Sequence, residues 1–389
     1  MESLNNNIKN LANLSSNDTE MNDETFLGVF DADAGILLGL ECANGVTYNP
    51  DFKLDPPLND SEQKKPFKLP FAFSVFYDFS QSNSKTDLVL KMAEKFGGDP
   101  RVEEERTVFR VRVGSLVGQK IRVFLKKNKP RYPGRYFDYL LSEVVLRLID
   151  DKVHLTRQGA VTIIALTMQN YRNKDNNHRK YERDFWFHHI QPSAEEKAKG
   201  LEKAEKILHL LHDKHVSKLE KALPTTVFSL DYIRGTHFGD GGLTVALTWK
   251  PNKNNRLRSE PEWTISGENK AYCSAFINSF EGKGNVNKAG PGFHKFRLTG
   301  IKNSLHVINL FKEVWMPEYK KTQLATFSEA IGMLKAREHF TPEGIVALVN
   351  LVYDMSEKGS RQYKKEDYIE WGLAWVAKRS KKPFENLEP

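Results

Sequence analysis

The chain has 389 residues, 39% hydrophobic and 11% aromatic, which is enough for two domains or one duplicated core and excludes a disordered polymer. Its 58 Lys and Arg against 50 Asp and Glu leave a formal charge of +8, a mild bias toward a polyanionic partner. Only two cysteines occur, Cys42 and Cys273, in no CxxC or metal-ligand spacing, which fits a reducing compartment, and no run of about 18 apolar residues is present to span a membrane.

Residues 1–22 are rich in Asn and Ser, lack the apolar core of a secretory signal and carry Lys9 as their only basic residue, so they are expected to be a disordered tail. Phe26–Ala34 follows with small residues four apart, Gly28 and Ala32, and an acid, Asp33, next in line. Strands are predicted over Gly35–Cys42 and Phe71–Phe79, joined by a polar, proline-containing excursion, and helical spacing covers Lys85–Phe96. The stretch 106–113 alternates, with Arg106, Arg110 and Arg112 on one face and Phe109, Val111 and Val113 on the other. Residues 172–221 read as a linker. Within it Ser193 is a plausible N-cap, and Leu201, Ala204, Leu208, Leu211 and Leu219 keep helical spacing. His209, His212 and His215 on this helix lack an acid or cysteine partner and read as a solvated or packed face.

In the second half, Ile233–Gly241 again has small residues four apart, Gly235 and Gly239, followed by Asp240. Strands are expected at Leu243–Lys250, Glu262–Ser266 and Phe293–Thr299, and a helix near Tyr272–Phe280. Lys250, Arg256, Arg258, Lys295 and Arg297 are the basic side chains of this part. The glycine-rich patches 281–284 and 290–292 read as turns. Residues 376–389 are expected to be a basic tail.

A duplication underlies this order. Ser142-Glu143-Val144-Val145 is followed by His154-Leu155-Thr156, and Ser328-Glu329-Ala330-Ile331 by His339-Phe340-Thr341, the serine and histidine being 12 and 11 residues apart. Each copy continues into an apolar helical stretch, Ala160–Met168 and Ile345–Met355. Ungapped matching from the serines also aligns Gly114 with Gly300. It places Phe296 opposite Arg110, which reverses the faces of that strand. A one-residue indel would restore them. Residues i and i+4 share a helix face, so Gly28/Ala32 and Gly235/Gly239 each present a flat stripe for close helix packing, with a carboxylate near each contact.

The two segments resemble the LAGLIDADG motif, and the order after each is similar to that of the LAGLIDADG homing endonuclease family, single-chain and two-motif, over residues 22 to 375. The resemblance implies an α+β fold of two pseudo-symmetric αββαββα repeats, 23–171 and 222–375, whose antiparallel sheets form a DNA-binding saddle. It implies a monomeric, site-specific double-stranded DNA endonuclease that uses Mg²⁺ (or Mn²⁺) to hydrolyse both strands across the minor groove at a long asymmetric site. Asp33 and Asp240 would bind the metal, one per strand. Asp31, opposite Phe238 in the other motif, would be a capping or structural residue. Gln81 and Lys302 are the candidates for the polar residue and lysine that the family adds from its sheets. In the second half a glycine, Gly267, stands in place of Gln81, with Glu268 beside it. In the first half no lysine occurs near Leu116, leaving Arg112 or Lys120. Ala34 stands where the family usually has glycine. The basic residues 106, 110, 112, 250, 256, 258, 295 and 297 would face DNA, where arginine can donate two bonds to guanine.

Alternative readings are an intron RNA-splicing maturase on the same scaffold, with host intron RNA as partner, or a noncatalytic DNA-binding protein. Retention of both acids favours cutting. An intein is not expected, because the chain starts at Met1 and ends at Pro389 without splice-junction residues. No GxSxG or GxxxxGK[ST] pattern supports a hydrolase triad or a nucleotide-binding loop. The family's use of mobile introns suggests a chloroplast or mitochondrial, organelle-encoded protein.

Overall fold

Helix α1 (Asp23–Asp33) begins where the Asn22 side chain accepts the Thr25 amide at 3.0 Å, and its first turn carries Asp23 and Glu24, the sign the N-terminal dipole favours. The computed structural model describes residues 21–42, 71–169, 183–250, 256–312, 314–355 and 363–380. Of the tail expected over 1–22, residues 1–20 fall outside the described residues, while Met21 is buried and Asn22 caps α1. Without an intervening loop α1 runs into β1 (Ala34–Cys42), which is followed by β2 (Phe71–Ser82), α2 (Thr86–Phe96), β3 (Arg101–Val102), β4 (Arg106–Arg112) and helices α3 (Leu116–Lys127), α4 (Pro133–Asp150) and α5 (Arg157–Gln169). The four strands form an antiparallel sheet in the order β1-β2-β4-β3.

Three helices follow: α6 (Arg183–Ile190), the longer α7 (Ala194–Leu211) and, after a π-turn, α8 (Ser217–Ala222). The second half then repeats the plan with α9 (Leu230–Asp240), β5 (Gly241–Lys250), β6 (Arg256–Gly267), α10 (Lys270–Ser279), β7 (Asn285–Gly290), β8 (Phe293–Thr299), α11 (Ile301–Leu310), α12 (Glu318–Ala336), α13 (Pro342–Asp354) and α14 (Lys365–Ser380). Its sheet has the matching order β5-β6-β8-β7. The αββαββα duplication expected from the sequence is present, with two four-stranded antiparallel sheets. Of the four strands that each repeat requires, one in each half escapes location by alternation in the sequence: the short β3 and β7.

Each sheet buries one face. In the first, Ala34, Ile36 and Leu38 lie opposite Phe79, Tyr77 and Val75, with Phe109 across from Phe79, and α2, α4 and α5 cover this face. In the second, Leu243 and Val245 lie opposite Trp263 and Pro261, and Ile265 is opposite Phe296, under α10, α11 and α12. The repeat extends to small details. Thr156 and Thr341 each cap the next helix, accepting the amides of Gly159 and Gly344 at 3.0 Å after a 3₁₀ turn that carries His154 or His339.

The chain divides into two compact units, Phe30–Thr226 and Val227–Pro389 together with the N-terminal segment through Val29. Within the second unit the start of α1 packs against α9 at the small-residue stripes. A Cβ on Gly28 would lie 2.2 Å from the Tyr232 carbonyl oxygen, and one on Gly235 would lie 2.0 Å from that of Thr25, so only glycine permits this approach.

The predicted linker is more than a spacer. Ser193 and Glu196 form a capping box at the start of α7, and Gly200 and Ala204 are buried where α7 lies on α5, with Thr162 donating to the Gly200 carbonyl at 3.1 Å. Residues 172–182 of that linker fall outside the described residues. His209, His212 and His215 are exposed, and no metal-holding cluster of three His, Cys, Asp or Glu occurs among the described residues. The predicted C-terminal tail begins too early. Its first five residues, 376–380, continue α14, because Trp375 and Val376 are buried side chains of that helix; residues 381–389 lie outside the described residues.

Candidate functional site

Both acids occupy the same structural position, the last residue of a helix that passes directly into the first strand of a sheet. Asp33 is half-buried and Asp240 is exposed. The two junctions are fastened by opposite means. In the first half Asp31 is buried, and its carboxylate accepts the amides of Arg131 at 2.7 Å and Tyr132 at 3.2 Å, at the N-terminus of α4. A negative charge suits the positive end of a helix dipole, so Asp31 is the structural cap the sequence suggested. In the second half Phe238 replaces it. Tyr319 and Lys320, in the first turn of α12, donate to the carbonyls of Phe238 and Gly241 on either side of Asp240.

The helix turns that lead to Asp240 are buried. His237 is fully buried, accepts the Trp263 indole N–H on Nδ1 at 3.0 Å and lies 4.5 Å from the Phe311 ring, centroid to centroid. Burial, with the Lys320 ammonium nearby, holds the His237 pKa well below the usual imidazole value. Nδ1 as acceptor fixes the neutral tautomer with its proton on Nε2. Cys273 lies close by, and burial pushes its thiol up to about 12, with the Asp240 carboxylate adding to the rise. Such a thiol is neither nucleophile nor metal ligand.

Register locates the other candidates. Ala34 pairs with Phe79, so Ser80 and Gln81 continue past the α1–β1 junction at the Asp33 end, and Gln81 is half-buried there. In the second half Ile265 pairs with Gly241. Gly267 takes the place of Gln81, and Glu268 follows, exposed, beyond the strand end. Lys302 is not brought to Asp240. The Gly300 amide bonds the Pro261 carbonyl at 3.0 Å, and Pro261 pairs with Val245, four residues along β5 from Gly241. At about 3.4 Å per residue that leaves the level of Lys302 roughly 14 Å from the Asp240 end. The expected role beside Asp240 is therefore not supported for this side chain. Two other lysines do reach that end: Lys295, which pairs with Ser266 one residue past Ile265, and the buried Lys320. The first half has Val108 at the level of Lys295, paired with Ser80, and Lys120 donates to the Phe96 carbonyl instead.

The faces turned away from the cores carry the predicted basic residues. In the first sheet Arg106, Arg110 and Arg112 are exposed and pair with Ser82, Asp78 and Phe76 of β2, with the Arg112 guanidinium 5.6 Å from the Phe76 ring centroid. In the second, Phe296 occupies the core position of Phe109, because each lies across from the strand partner of the residue that follows the motif acid. The indel inferred from sequence is real, and Lys295 and Arg297 point outward with Arg258 and Lys250. Arg256 opens β6 opposite Lys250, and its side chain lies outside the described residues. Sequence reasoning did not single out Asp78 and Glu262, which lie on these same faces and hold Arg110 and Arg297. Their place in alternating strands was the available signal.

The donor set at the two acids is oxygen only, one carboxylate in each half. That fits a hard divalent ion such as Mg²⁺, which takes few protein carboxylates and completes its shell with water and substrate phosphate oxygens, and it does not fit zinc.

No protein-family profile and no curated protein sequence matches this chain. Solved structures do. The I-SmaMI LAGLIDADG homing endonuclease bound to cleaved DNA superposes with a TM-score of 0.61 at 16% identity, over 88% of this chain and 99% of that one. I-SmaMI on an uncleaved DNA target with calcium ions gives 0.60 at 17% identity, over 87% and 99%. The I-LtrWI LAGLIDADG homing endonuclease bound to target DNA gives 0.60 at 14% identity, over 86% and 97%.

Proposed function

We propose that this chain, which has the fold of the LAGLIDADG homing endonucleases, is a site-specific double-stranded DNA endonuclease that acts as a single chain and depends on Mg²⁺ or Mn²⁺. The observation that carries the proposal is the duplicated junction. Twice, a helix ends on an aspartate and passes straight into a four-stranded sheet whose outer face bears arginines and lysines. A DNA-binding or RNA-splicing role alone needs neither acid.

Asp33 in one half and Asp240 in the other would each bind a divalent ion, which when bound neutralises phosphate charge and activates water for attack on phosphorus. The protein's own share is positioning. Asp31 and the Tyr319–Lys320 pair fix the turns that carry the acids, Gln81 would orient water at the Asp33 end, and the outer faces would supply the electrostatic hold on the duplex. The two nonidentical sheets would read two different half-sites.

The test is strand-resolved cleavage of a randomised duplex library by the full chain with Mg²⁺. Wild type should cut both strands, leaving short 3′ overhangs. Asp33→Asn and Asp240→Asn should each abolish double-strand cutting while target binding in Ca²⁺ is kept. The strand served by Asp33, which has no lysine at the level of Lys295, should be cut more slowly. Double-strand cutting that survives in both variants would remove these aspartates from the chemistry.

A further inference from the structure

Four arginines on the outer sheet faces are held by carboxylates of the protein itself. Arg106 Nε donates to Glu103 at 2.9 Å, and Arg110 Nε donates to Asp78 at 2.7 Å. Arg258 Nη2 donates to Glu260 at 2.6 Å, and Arg297 donates to Glu262 through Nε at 2.8 Å and through Nη2. Asp78 and Glu262 are set into the sheet more deeply than the guanidinium groups they hold. The Asp78 side chain is 17% exposed against 46% for Arg110, and that of Glu262 is 11% against 30% for Arg297.

Stability does not explain this arrangement, since exposed ion pairs contribute only about 0–1 kcal/mol. Nor does simple attraction to DNA, because a carboxylate on a face that meets phosphates repels them. What a carboxylate at Nε does is fix the plane of the guanidinium and leave the Nη1/Nη2 fork directed outward. That fork matches the paired acceptors O6 and N7 of guanine. It also cancels the charge that would otherwise favour any phosphate, so binding then depends on the base presented.

We propose that Asp78 and Glu103 are specificity-determining positioning residues that make Arg110 and Arg106 guanine readers, and that Glu262 and Glu260 play the same part for Arg297 and Arg258. In the first half both contacts run through Nε, which leaves the two-point fork. In the second half Nη2 is engaged, so Arg297 and Arg258 present fewer donors and should discriminate less. Arg106 and Arg110 lie four residues apart on β4, about 13 Å at about 3.3 Å per residue, so their guanines should be about four base pairs apart.

This inference rests on the duplex-binding reading above, and the experiment separates the two. Binding of the full chain to a randomised duplex library is measured in Ca²⁺, with base preference and salt dependence as readouts. Wild type should prefer guanine at two first-half positions about four base pairs apart. Asp78→Asn should lose one of those preferences by roughly 5- to 150-fold. It should also bind random duplex more tightly, with a log–log salt slope steeper by about one. Arg110→Ala should lose the same guanine without that gain, and Glu262→Gln should give the salt effect with a smaller loss of preference. A merely structural carboxylate would weaken all sequences equally. That result, an unchanged preference in a folded Asp78→Asn, or loss of a cytosine preference instead, would overturn the proposal. Failure of the wild type to bind any duplex would overturn the endonuclease reading with it.

Discussion

His237 is fully buried, and its protonation opposes the folded state of the second half. Burial and the neighbouring Lys320 ammonium hold its pKa well below the usual value, while in the unfolded chain it titrates near 6.5. Below about pH 6.5 the unfolded chain therefore binds a proton that the folded chain refuses. Its contribution is complete above that pH and is lost progressively as pH falls toward the folded value, at up to about 1.4 kcal/mol per pH unit. His237→Asn keeps an acceptor where Nδ1 receives the Trp263 indole N–H and removes the titration. Denaturant unfolding between pH 7 and pH 5 should show wild type losing stability steeply and the variant more shallowly. Parallel curves would mean that His237 does not set the acid limit. Lys320 completes this buried group. Its ammonium is anchored on the Gly241 carbonyl, where the negative end of the α9 dipole offsets part of the cost of burial.

At the scale of elements, the close contact of α1 and α9 depends on two glycines whose missing Cβ atoms would meet backbone oxygens at 2.2 and 2.0 Å. Alanine at Gly28 or Gly235 would gain about 1 kcal/mol of helix propensity. It would also drive a methyl group into a carbonyl that cannot move without its helix, at a cost of typically 1–3 kcal/mol or more. Each variant should unfold at lower denaturant. Gly332→Ala, at an exposed position in α12 with open space around its Cβ, should gain up to about 1 kcal/mol and serves as the opposite-sign control. A stabilised Gly28→Ala would refute the tight crossing. These stripes were legible in the sequence because the i, i+4 repeat of small residues occurs twice before an acid, and the strands were legible from their alternation. What was not legible follows from register. Lys295 lies near the start of β8 and Lys302 follows its far end, so the direction in which β8 runs beside β6 decides which of them lies at the Asp240 end. Lys320 lies on a helix 80 residues beyond Asp240, and only the packing of α12 under β5 brings it to the Gly241 carbonyl. Asp78 reads as one polar residue in an alternating strand until its cross-strand neighbour proves to be Arg110.

For the molecule as a whole, the repeats in the sequence and the compact units in space have different boundaries. The first repeat begins with α1, yet the segment through Val29 belongs with residues 227–389. The second half is therefore completed by a helix from the far end of the chain. Asn22 bonds Asp231 in the first turn of α9 and Glu24 accepts from its N-cap Ser229, while Gly28 lies against Tyr232 and Thr236. Without that segment, the glycine-bearing stripe of α9, which has almost no side chain of its own to shield the backbone, would face water. Residues 222–389 expressed alone should thus unfold at markedly lower denaturant than the same region in the intact chain, or associate through the uncovered stripe. Adding residues 1–221 as a second polypeptide should restore a soluble one-to-one complex, seen as co-elution and recovery of the unfolding midpoint. Gly28→Leu in the added fragment should prevent that recovery, because its side chain would occupy the space of the Tyr232 carbonyl. A fragment 222–389 that is monomeric and as stable as the parent would show that the N-terminal helix is dispensable for the second unit, and that the glycine crossing does not hold it together.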